Sequence, residues 1–446
     1  MCVCRQALVL GMGLSGVAAA CLLRRHGYAV TVVDAGCGDE EAVCALQDAG
    51  VEVLAGAATL PSGQYTVCVV SPGISCDSDW VREMQGRGAE VISELELGYR
   101  YCDCALVAVT GSNGKSTLVK LLYDMLRKCG QQVAIAGNYG IPLCDVVKDS
   151  AGLDLIVVEV SSFQLELVDR FSPKVGVLLN LQPDHLDRHG TMAEYRALKH
   201  RLFRRMGSGD CVVVHDAELA EMNAAKARLL SFGILGGADF YYSSDGYVCG
   251  RGGFAGIKVG LQGSRFDNQI MGQTVAAAVA VLVSLGLDAR VVAGAVMEFS
   301  GLPHRMEQVA EIEGVRFIDD SKATNLAAMQ AALEMLGGGV RLIAGGVLKE
   351  KSVDFVKEVL ANKAPCVYLI GIASKDMESG WRDSVRCVEC GDLETAVRLA
   401  FADAGVGETV LLSPGCASFD QFKSYKDRGE RFKRIVEDIY EERETR

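Results

Sequence analysis

The sequence predicts an α/β protein of about three domains, built on parallel sheets covered by helices. Three observations carry that prediction. The chain has 446 residues, about three times the ~150 residues of an ordinary domain. Short apolar runs alternate with helix-period stretches almost from end to end, the pattern of successive βαβ units. Several of those runs lead straight into Gly-, Ser- or Asp-rich loops that open a helix, as strand ends do in open parallel sheets.

Taken in order, residues 7–10 read as a strand, 15–26 as a helix, 29–33 as a second strand and 67–70 as a third, closed by the turn Ser71-Pro72-Gly73. A second segment opens with a strand at 105–109, a loop, and a helix that places Leu118, Leu121, Leu122, Met125 and Leu126 on one face. Gly130 stands where a helix C-terminus favours a residue free to take positive φ. Residues 155–160 and 175–179 follow as buried strands. Near Gly301-Leu302-Pro303 a proline breaks the helical pattern, and a third segment begins. There, strands at 316–318, 340–344, 366–370 and 409–412 alternate with helices at 326–336 and 393–404, and a charged tail from 437 continues a last helix. The expected domains are therefore 1–97, 98–302 and 303–446.

Acidic side chains outnumber basic ones 57 to 45, a formal charge of -12. That balance argues against a general nucleic-acid or membrane-surface binder, and any anionic ligand must meet a local cluster of donors. The 17 cysteines are odd in number and lack both zinc-ligand spacing and a secretory leader, so reduced apolar use is expected. With no run near the ~18 apolar residues of a membrane span, the chain is expected to be soluble and cytoplasmic; separately, a monomer is the expected state.

Gly11-Met12-Gly13-Leu14-Ser15-Gly16 follows a strand and opens a helix, and Asp34 closes the next strand. Glycines there allow a diphosphate to approach the helix N-terminus, while the acid can accept from a ribose hydroxyl. A tight turn without a ligand is the competing explanation. Thr110-Gly111-Ser112-Asn113-Gly114-Lys115-Ser116-Thr117 is more specific, lying between a strand and an amphipathic helix as a phosphate-binding loop does. Its amides would cradle a triphosphate, Lys115 would reach the β- and γ-phosphates, and Ser116 would ligate Mg²⁺. Only Ser112 and Asn113 separate Gly111 from Gly114, two residues fewer than the common pattern.

A run of Leu155-Ile156-Val157-Val158 ends in Glu159, a carboxylate at a strand's carboxyl end and a candidate Mg²⁺ ligand. Asn180-Leu181-Gln182-Pro183-Asp184-His185-Leu186-Asp187 leaves another strand, and His185 could complete a second metal site. Lys199 lies among Arg196, Arg201, Arg204 and Arg205, on a helix face that is either solvated or set against phosphate. Asp320-Ser321-Lys322-Ala323-Thr324-Asn325 and the loop 413–420 each crowd polar groups at a helix start, suited to a carboxylate ligand or to capping. Arg305 would stabilise transferring phosphoryl charge or form an ion pair between domains.

In this order, the whole chain resembles the Mur ligase family, and its D-glutamate-adding branch in particular. The residues that carry the resemblance are the short glycine loop, Gly137-Asn138-Tyr139-Gly140, residues 159–165, Pro183-Asp184-His185-Leu186-Asp187, residues 320–325 and residues 416–422. It implies a Rossmann-like N-terminal domain, a central P-loop ATPase-like domain and a Rossmann-like C-terminal domain. It also implies ATP- and Mg²⁺-dependent addition of D-glutamate to UDP-N-acetylmuramoyl-L-alanine through an acyl phosphate.

Carried over residue by residue, the resemblance assigns catalysis to Lys115, His185, Lys199 and Arg305. Gly111, Ser112, Asn113, Gly114, Lys115, Ser116, Thr117, Arg305, Asp320 and Asn325 would meet ATP. Leu14, Ser15, Asp34, Ser71, Gly73, Asn138, Ser161 and Asp184 would meet the UDP substrate. D-glutamate would fall to Lys322, Thr324, Lys351, Ser418 and Tyr425, with Lys349 the rival of Lys351. Metal would fall to Ser116, Glu159, His185 and a carbamylated Lys199. The sequence departs from the family pattern at Ala35-Gly36, at residues 270–274 and in a longer loop at 345–351. Another amide ligase of the same superfamily, and an NAD(P)-dependent oxidoreductase using the first glycine loop, are the alternatives.

Overall fold

Three sheets organise the computed structural model, which describes residues 5–222, 226–234 and 237–444. The first contains β1 (Gln6–Leu10), β2 (Ala29–Val33), β3 (Glu52–Leu54), β4 (Val67–Val70) and β5 (Glu90–Ser93), all parallel, in the order β3-β2-β1-β4-β5. Strand order reverses between β1 and β4, which opens a crevice at their carboxyl ends.

The second sheet has the order β14-β13-β12-β11-β10-β9-β6-β8-β7. Its members are β6 (Ala105–Thr110), β7 (Val133–Gly137), β8 (Leu155–Glu159), β9 (Val175–Leu178), β10 (Cys211–His215), β11 (Arg228–Ile234), β12 (Phe240–Ser243), β13 (Tyr247–Gly250) and β14 (Lys258–Gly260). Strands β6 to β12 pair parallel, but β13 runs antiparallel to both its neighbours, β12 and β14, a departure from the wholly parallel expectation. A tight turn at Asp245-Gly246, with Gly246 at φ 80°, joins β12 to β13, and no crossover helix is needed.

One hydrophobic core serves both sheets. It runs from Ala7 and Val9 through Leu95, Leu97 and Leu143 to Leu106, Ile156 and Val212. The helix Lys115–Lys128 buries Leu118, Val119, Leu121, Leu122, Met125 and Leu126, the face its spacing predicts. Each such side chain contributes about 1.5–3 kcal/mol of burial energy. Between the sheets, Glu94 accepts from the Cys144 amide at 2.7 Å, and Glu96 accepts from the amides of Asp169, Arg170 and Phe171 at 2.9 to 3.1 Å.

By internal contacts the chain forms two compact units. Residues 1–181 and 193–298 make the first, and residues 182–192 and 299–446 the second. The second unit carries the third sheet, ordered β15-β16-β20-β17-β18-β19. Its strands are β15 (Glu307–Ile312), β16 (Val315–Asp319), β17 (Val340–Gly345), β18 (Cys366–Ile370), β19 (Arg386–Gly391) and β20 (Thr409–Leu412). All are parallel except β15, which a two-residue turn at Glu313-Gly314, both at positive φ, folds back on β16. Leu342, Val367 and Leu369 fill one face of this sheet, and Phe317, Tyr368 and Phe432 the other. No described helix is long and apolar enough to cross a membrane.

Candidate functional site

In the first unit, Gly11 leaves β1 at φ 92° and its amide bonds Val33 O at 2.8 Å. Asp34, at the end of β2, accepts from the Met12 amide at 2.7 Å and the Gly36 amide at 2.8 Å. Both oxygens are thus engaged by the loop, and each keeps a second lone pair for a ligand hydroxyl. Gly16 packs so closely on the loop that a Cβ there would lie 1.9 Å from Gly11 O. A cleft of ≈ 700 Å³ opens here, lined by Leu14, Ser15, Asp34, Ser71, Gly73 and Trp80 among others, with no Lys or Arg among the described lining residues. Leu14 is 80% exposed. Trp80 was missed from sequence; its only signal is that the chain has 2 tryptophans and this one follows the Ser71 turn.

The second loop leaves β6 beside β8, and the register sets Glu159 opposite Val109, next to the loop's start. The loop is pinned from β9's end: Ser112 N donates to Asn180 O at 3.0 Å, Asn113 N to Asn180 Oδ1 at 2.9 Å, and Asn180 Nδ2 to Asn113 O at 3.1 Å. Gly114, at φ 83°, is the N-cap of the helix Lys115–Lys128 and directs the following amides along its axis. Lys115 Nζ donates to Gly111 O and Ser112 O, both at 2.8 Å. Ser116 Oγ donates to Glu159 Oε2, while Asn138 Nδ2 reaches Glu159 Oε1 at 2.6 Å. Thr117 is half-buried in the first turn of that helix. Ser161 caps the short helix Ser162–Leu165 with a reciprocal Gln164 bond.

Lys199 is buried, unlike a solvated surface cation. Its Nζ donates to Gly111 O at 3.0 Å and Thr110 Oγ1 at 3.4 Å, and stands 4.7 Å from the Tyr195 ring. Tyr195 in turn meets Ser112 Oγ through its hydroxyl at 3.2 Å. The neighbouring arginines turn elsewhere: Arg201 donates to Glu166 O, and Arg205 Nη2 pairs with Asp169 at 2.9 Å. The structure thus gathers Gly111, Ser112, Lys115, Ser116, Asn138, Glu159 and Lys199 into one bonded cluster.

The remaining candidates belong to the second unit. His185 takes φ 54° before the short helix Leu186–His189, its Nε2 3.5 Å from Asp184 Oδ2. Asp184 is buried, and Lys349 pairs with it at 3.2 Å, whereas Lys351 is exposed. Asp320 accepts from Ser413 Oγ at 2.8 Å and the Met306 amide at 3.2 Å. Burial pushes the Asp320 carboxyl up to about 7, against those hydrogen bonds and the nearby Arg305 charge. Lys322 Nζ sits 4.0 Å from the Tyr425 ring centroid, a cation–π contact. Asn325 caps the helix Leu326–Met335 by accepting from the Ala328 amide at 2.8 Å, with half-buried Thr324 before it. Ser418 is buried, as is Cys416, whose thiol burial pushes up and leaves unreactive.

Two anchors here had no sequence signal beyond residue type. Arg428 is fully buried and donates to Ser321 Oγ at 3.0 Å, Ser321 O at 2.8 Å and Cys416 O at 3.1 Å. Desolvation pulls its guanidinium down to about 10, still charged near neutrality. His304 bonds Asp319 through Nδ1 at 2.6 Å and lies 3.4 Å from Glu430 through Nε2. His304, Glu307 and Asp319 are close enough to share a metal ion, but Lys433 already brings its ammonium within 3.0 Å of Glu307.

Similarity to known proteins follows the same division. The description Mur ligase MurD-like, N-terminal domain matches residues 5–93, Mur ligase middle domain matches 109–281, and Mur ligase, glutamate ligase domain matches 304–416. A UDP-N-acetylmuramoylalanine--D-glutamate ligase of Acidobacterium capsulatum is 36% identical over 97% of this chain and 96% of its own length. The chain belongs to the Mur ligase family. A Pelotomaculum thermopropionicum protein of the same description is 38% identical over 97% of both chains. Among solved Mur ligases, MurF of Thermotoga maritima in complex with ADP superposes with TM-score 0.63 at 19% identity, covering 93% of this chain and 96% of that one. Thermotoga maritima MurC gives 0.62 at 16% identity, covering 98% and 99%. At those identities the likeness speaks for the three-domain α/β fold of Mur ligases.

Proposed function

We propose that this Mur ligase joins D-glutamate to UDP-N-acetylmuramoyl-L-alanine at the expense of ATP, as a monomer making a cytoplasmic peptidoglycan precursor. The observation that carries the reading is the bonded cluster of Lys115, Ser116, Asn138, Glu159 and Lys199 around the loop after β6. A carboxylate and an amine do not condense in water without an activated leaving group, and a triphosphate site supplies one. The alanyl carboxylate attacks the γ-phosphorus, ADP leaves, and an acyl phosphate forms. The D-glutamate amine then attacks the acyl carbon, loses a proton, and phosphate leaves.

Lys115 would swing from Gly111 O and Ser112 O to the β- and γ-phosphates, replacing carbonyl partners with charged ones. Arg305 would meet charge developing on the transferred phosphoryl group. Ser116 and Glu159 offer the oxygen ligands a hard cation takes, so Mg²⁺ fits that pair, with His185 and a carbamylated Lys199 serving a second ion. When bound, Mg²⁺ would neutralise phosphate charge. Carbamylation would exchange the two Lys199 donor bonds for anionic oxygens. The cleft beside Gly11 would take the uridine diphosphate, with Asp34 on a hydroxyl of the nucleoside and Leu14 against its apolar surface. Lys322, Thr324, Ser418 and Tyr425, with Lys351 or its rival Lys349, would hold D-glutamate, and Asp184 would meet the UDP substrate.

The test is ADP release with Mg²⁺, UDP-N-acetylmuramoyl-L-alanine and each candidate amino acid in turn. D-glutamate should support turnover far above the others. Thermal stabilisation by UDP-N-acetylmuramoyl-L-alanine but not by NAD(P)H should accompany it; stabilisation by NAD(P)H alone would overturn the reading.

A further inference from the structure

The first unit holds a second cavity, of ≈ 610 Å³, lined by Cys102, Cys104, Arg100, Arg170, Lys174 and Asp210 among others. The proposed ligase reaction uses none of these residues. Cys102-Asp103-Cys104 forms the connection between the helix Glu94–Arg100 and β6, and its two Sγ atoms lie 3.7 Å apart. Both cysteines are half-buried and reachable, unlike the buried Cys68, Cys144, Cys211, Cys366 and Cys416. A disulfide needs the sulfurs at about 2 Å, a closure within reach of side-chain rotation.

Most of the surrounding charge is paired, and one cation of the lining, Arg170, remains to meet an anion. Arg100 is committed to Glu90 and Glu96, each at 2.8 Å, and Lys174 donates to Gly209 O and lies 3.8 Å from Asp210. Arg170 gives its backbone amide to Glu96; its guanidinium helps to hold the Glu90 carboxyl down from a distance, and among the described residues it closes no ion pair within 4 Å. The thiols also divide their roles. Cys104, donating to Cys102, holds the Cys102 thiol below its ordinary range, and the same contact with burial pushes Cys104 up. Burial and the Asp103 carboxylate oppose ionisation of Cys102, and its contacts with Cys104 prevail.

We propose that Cys102 and Cys104 form a dithiol exchange site whose cavity admits an anionic low-molecular-weight disulfide. The Cys102 thiolate attacks one sulfur of the disulfide RSSR. The S–S bond breaks, one thiolate leaves and takes a proton, and a mixed disulfide remains on Cys102. Cys104 then attacks the Cys102 sulfur, and the second thiolate leaves with the proton from Cys104. Two protein thiols and RSSR become one protein disulfide and two RSH, the electron pair passing from the cysteines to RSSR. A ring closed across a single intervening residue is strained, so an external thiol reopens it readily.

The experiment treats the full folded chain with glutathione disulfide, quenches with an alkylating agent and digests with trypsin. Cleavage after Arg100 and Lys115 yields residues 101–115, which contain these two cysteines and no other. That peptide should escape alkylation and appear two hydrogen masses below its unmodified mass before glutathione accumulates on exposed Cys37 or Cys44, and dithiothreitol before the quench should restore its two alkylated thiols. Cys104→Ser should stall with glutathione on Cys102. Arg170→Gln should slow reaction with glutathione disulfide by roughly fivefold while leaving reaction with dicationic cystamine no slower. Oxidation of Cys37 and Cys44 with residues 101–115 untouched would overturn the proposal. Equal slowing of both disulfides by Arg170→Gln would do the same. If a variant fails to fold, the native chain decides: its glutathione-disulfide to cystamine rate ratio should exceed that of the denatured chain.

Discussion

The loop after β1 and the loop after β6 begin alike. Each leaves a buried parallel strand through a glycine of positive φ, Gly11 at 92° and Gly111 at 149°, and turns into the first turn of a helix. Beyond that point they differ in charge. Around the first, the polar group that organises the loop is an acid, Asp34, and the described cleft lining carries no cation. Around the second, two lysines converge on Gly111 O, and a serine hydroxyl meets a strand-end carboxylate. Glycine gives both loops room for a phosphate, and the side chains decide whether that phosphate is merely seated or made to react.

Lys115→Ala tests the contrast most severely. Turnover should fall on the order of 10³-fold while far-UV circular dichroism stays native; unchanged ADP release would make the two loops equivalent. Glu159→Gln should cost on the order of 10²-fold in kcat and raise the Mg²⁺ concentration needed for half-maximal rate. The matching change in the first loop, Asp34→Asn, should act on KM for the UDP substrate, by roughly tenfold, with kcat nearly constant.

Stability sharpens the comparison further. Gly16→Ala forces a Cβ to within 1.9 Å of Gly11 O and should destabilise by about 1–3 kcal/mol in urea unfolding. Gly13→Ala, with nothing within 4 Å of the new atom, should cost under about 0.5 kcal/mol. A pH-dependent effect lies between the two sheets, at fully buried Glu94, whose Oε2 lacks a hydrogen bond and whose carboxyl burial pushes up from the ordinary 4.5 to about 7. Its neutral form favours the native state, so its stabilising contribution is complete below pH 4.5 and fades as pH rises through about 7. Glu94→Gln cannot ionise and should flatten that decline, gaining on the order of 1–2 kcal/mol at pH 8; an unchanged pH profile would show the carboxylate to be solvated.

Local sequence exposed much of this. The loop 110–117 declared itself because strand, glycines, lysine and helix are adjacent in the chain, and Glu159 because a buried strand runs into it. Less legible were the groups that hold those parts in place. Asn180 pins Asn113 across 67 residues, and Glu96 gathers three amides more than 70 residues away. Such bonds depend on which strand ends become neighbours, and no local pattern encodes them. Lys199 looked like one member of a basic face, yet helix phase alone could not show that it is the buried member. The antiparallel strands β12 to β15 were hidden in part because short turns such as Glu313-Gly314 resemble other polar loops until backbone twist is known.

Arg428 connects two loops that lie far apart in sequence, meeting Ser321 across 107 residues and Cys416 across 12. A chain synthesised from its N-terminus makes both loops before it makes the arginine that joins them. Neither loop reaches its final hydrogen bonding until the helix Tyr425–Glu444 docks. The two therefore mature together, in a single late step of biogenesis, and a nascent chain that stops short of that helix carries both in unfinished form.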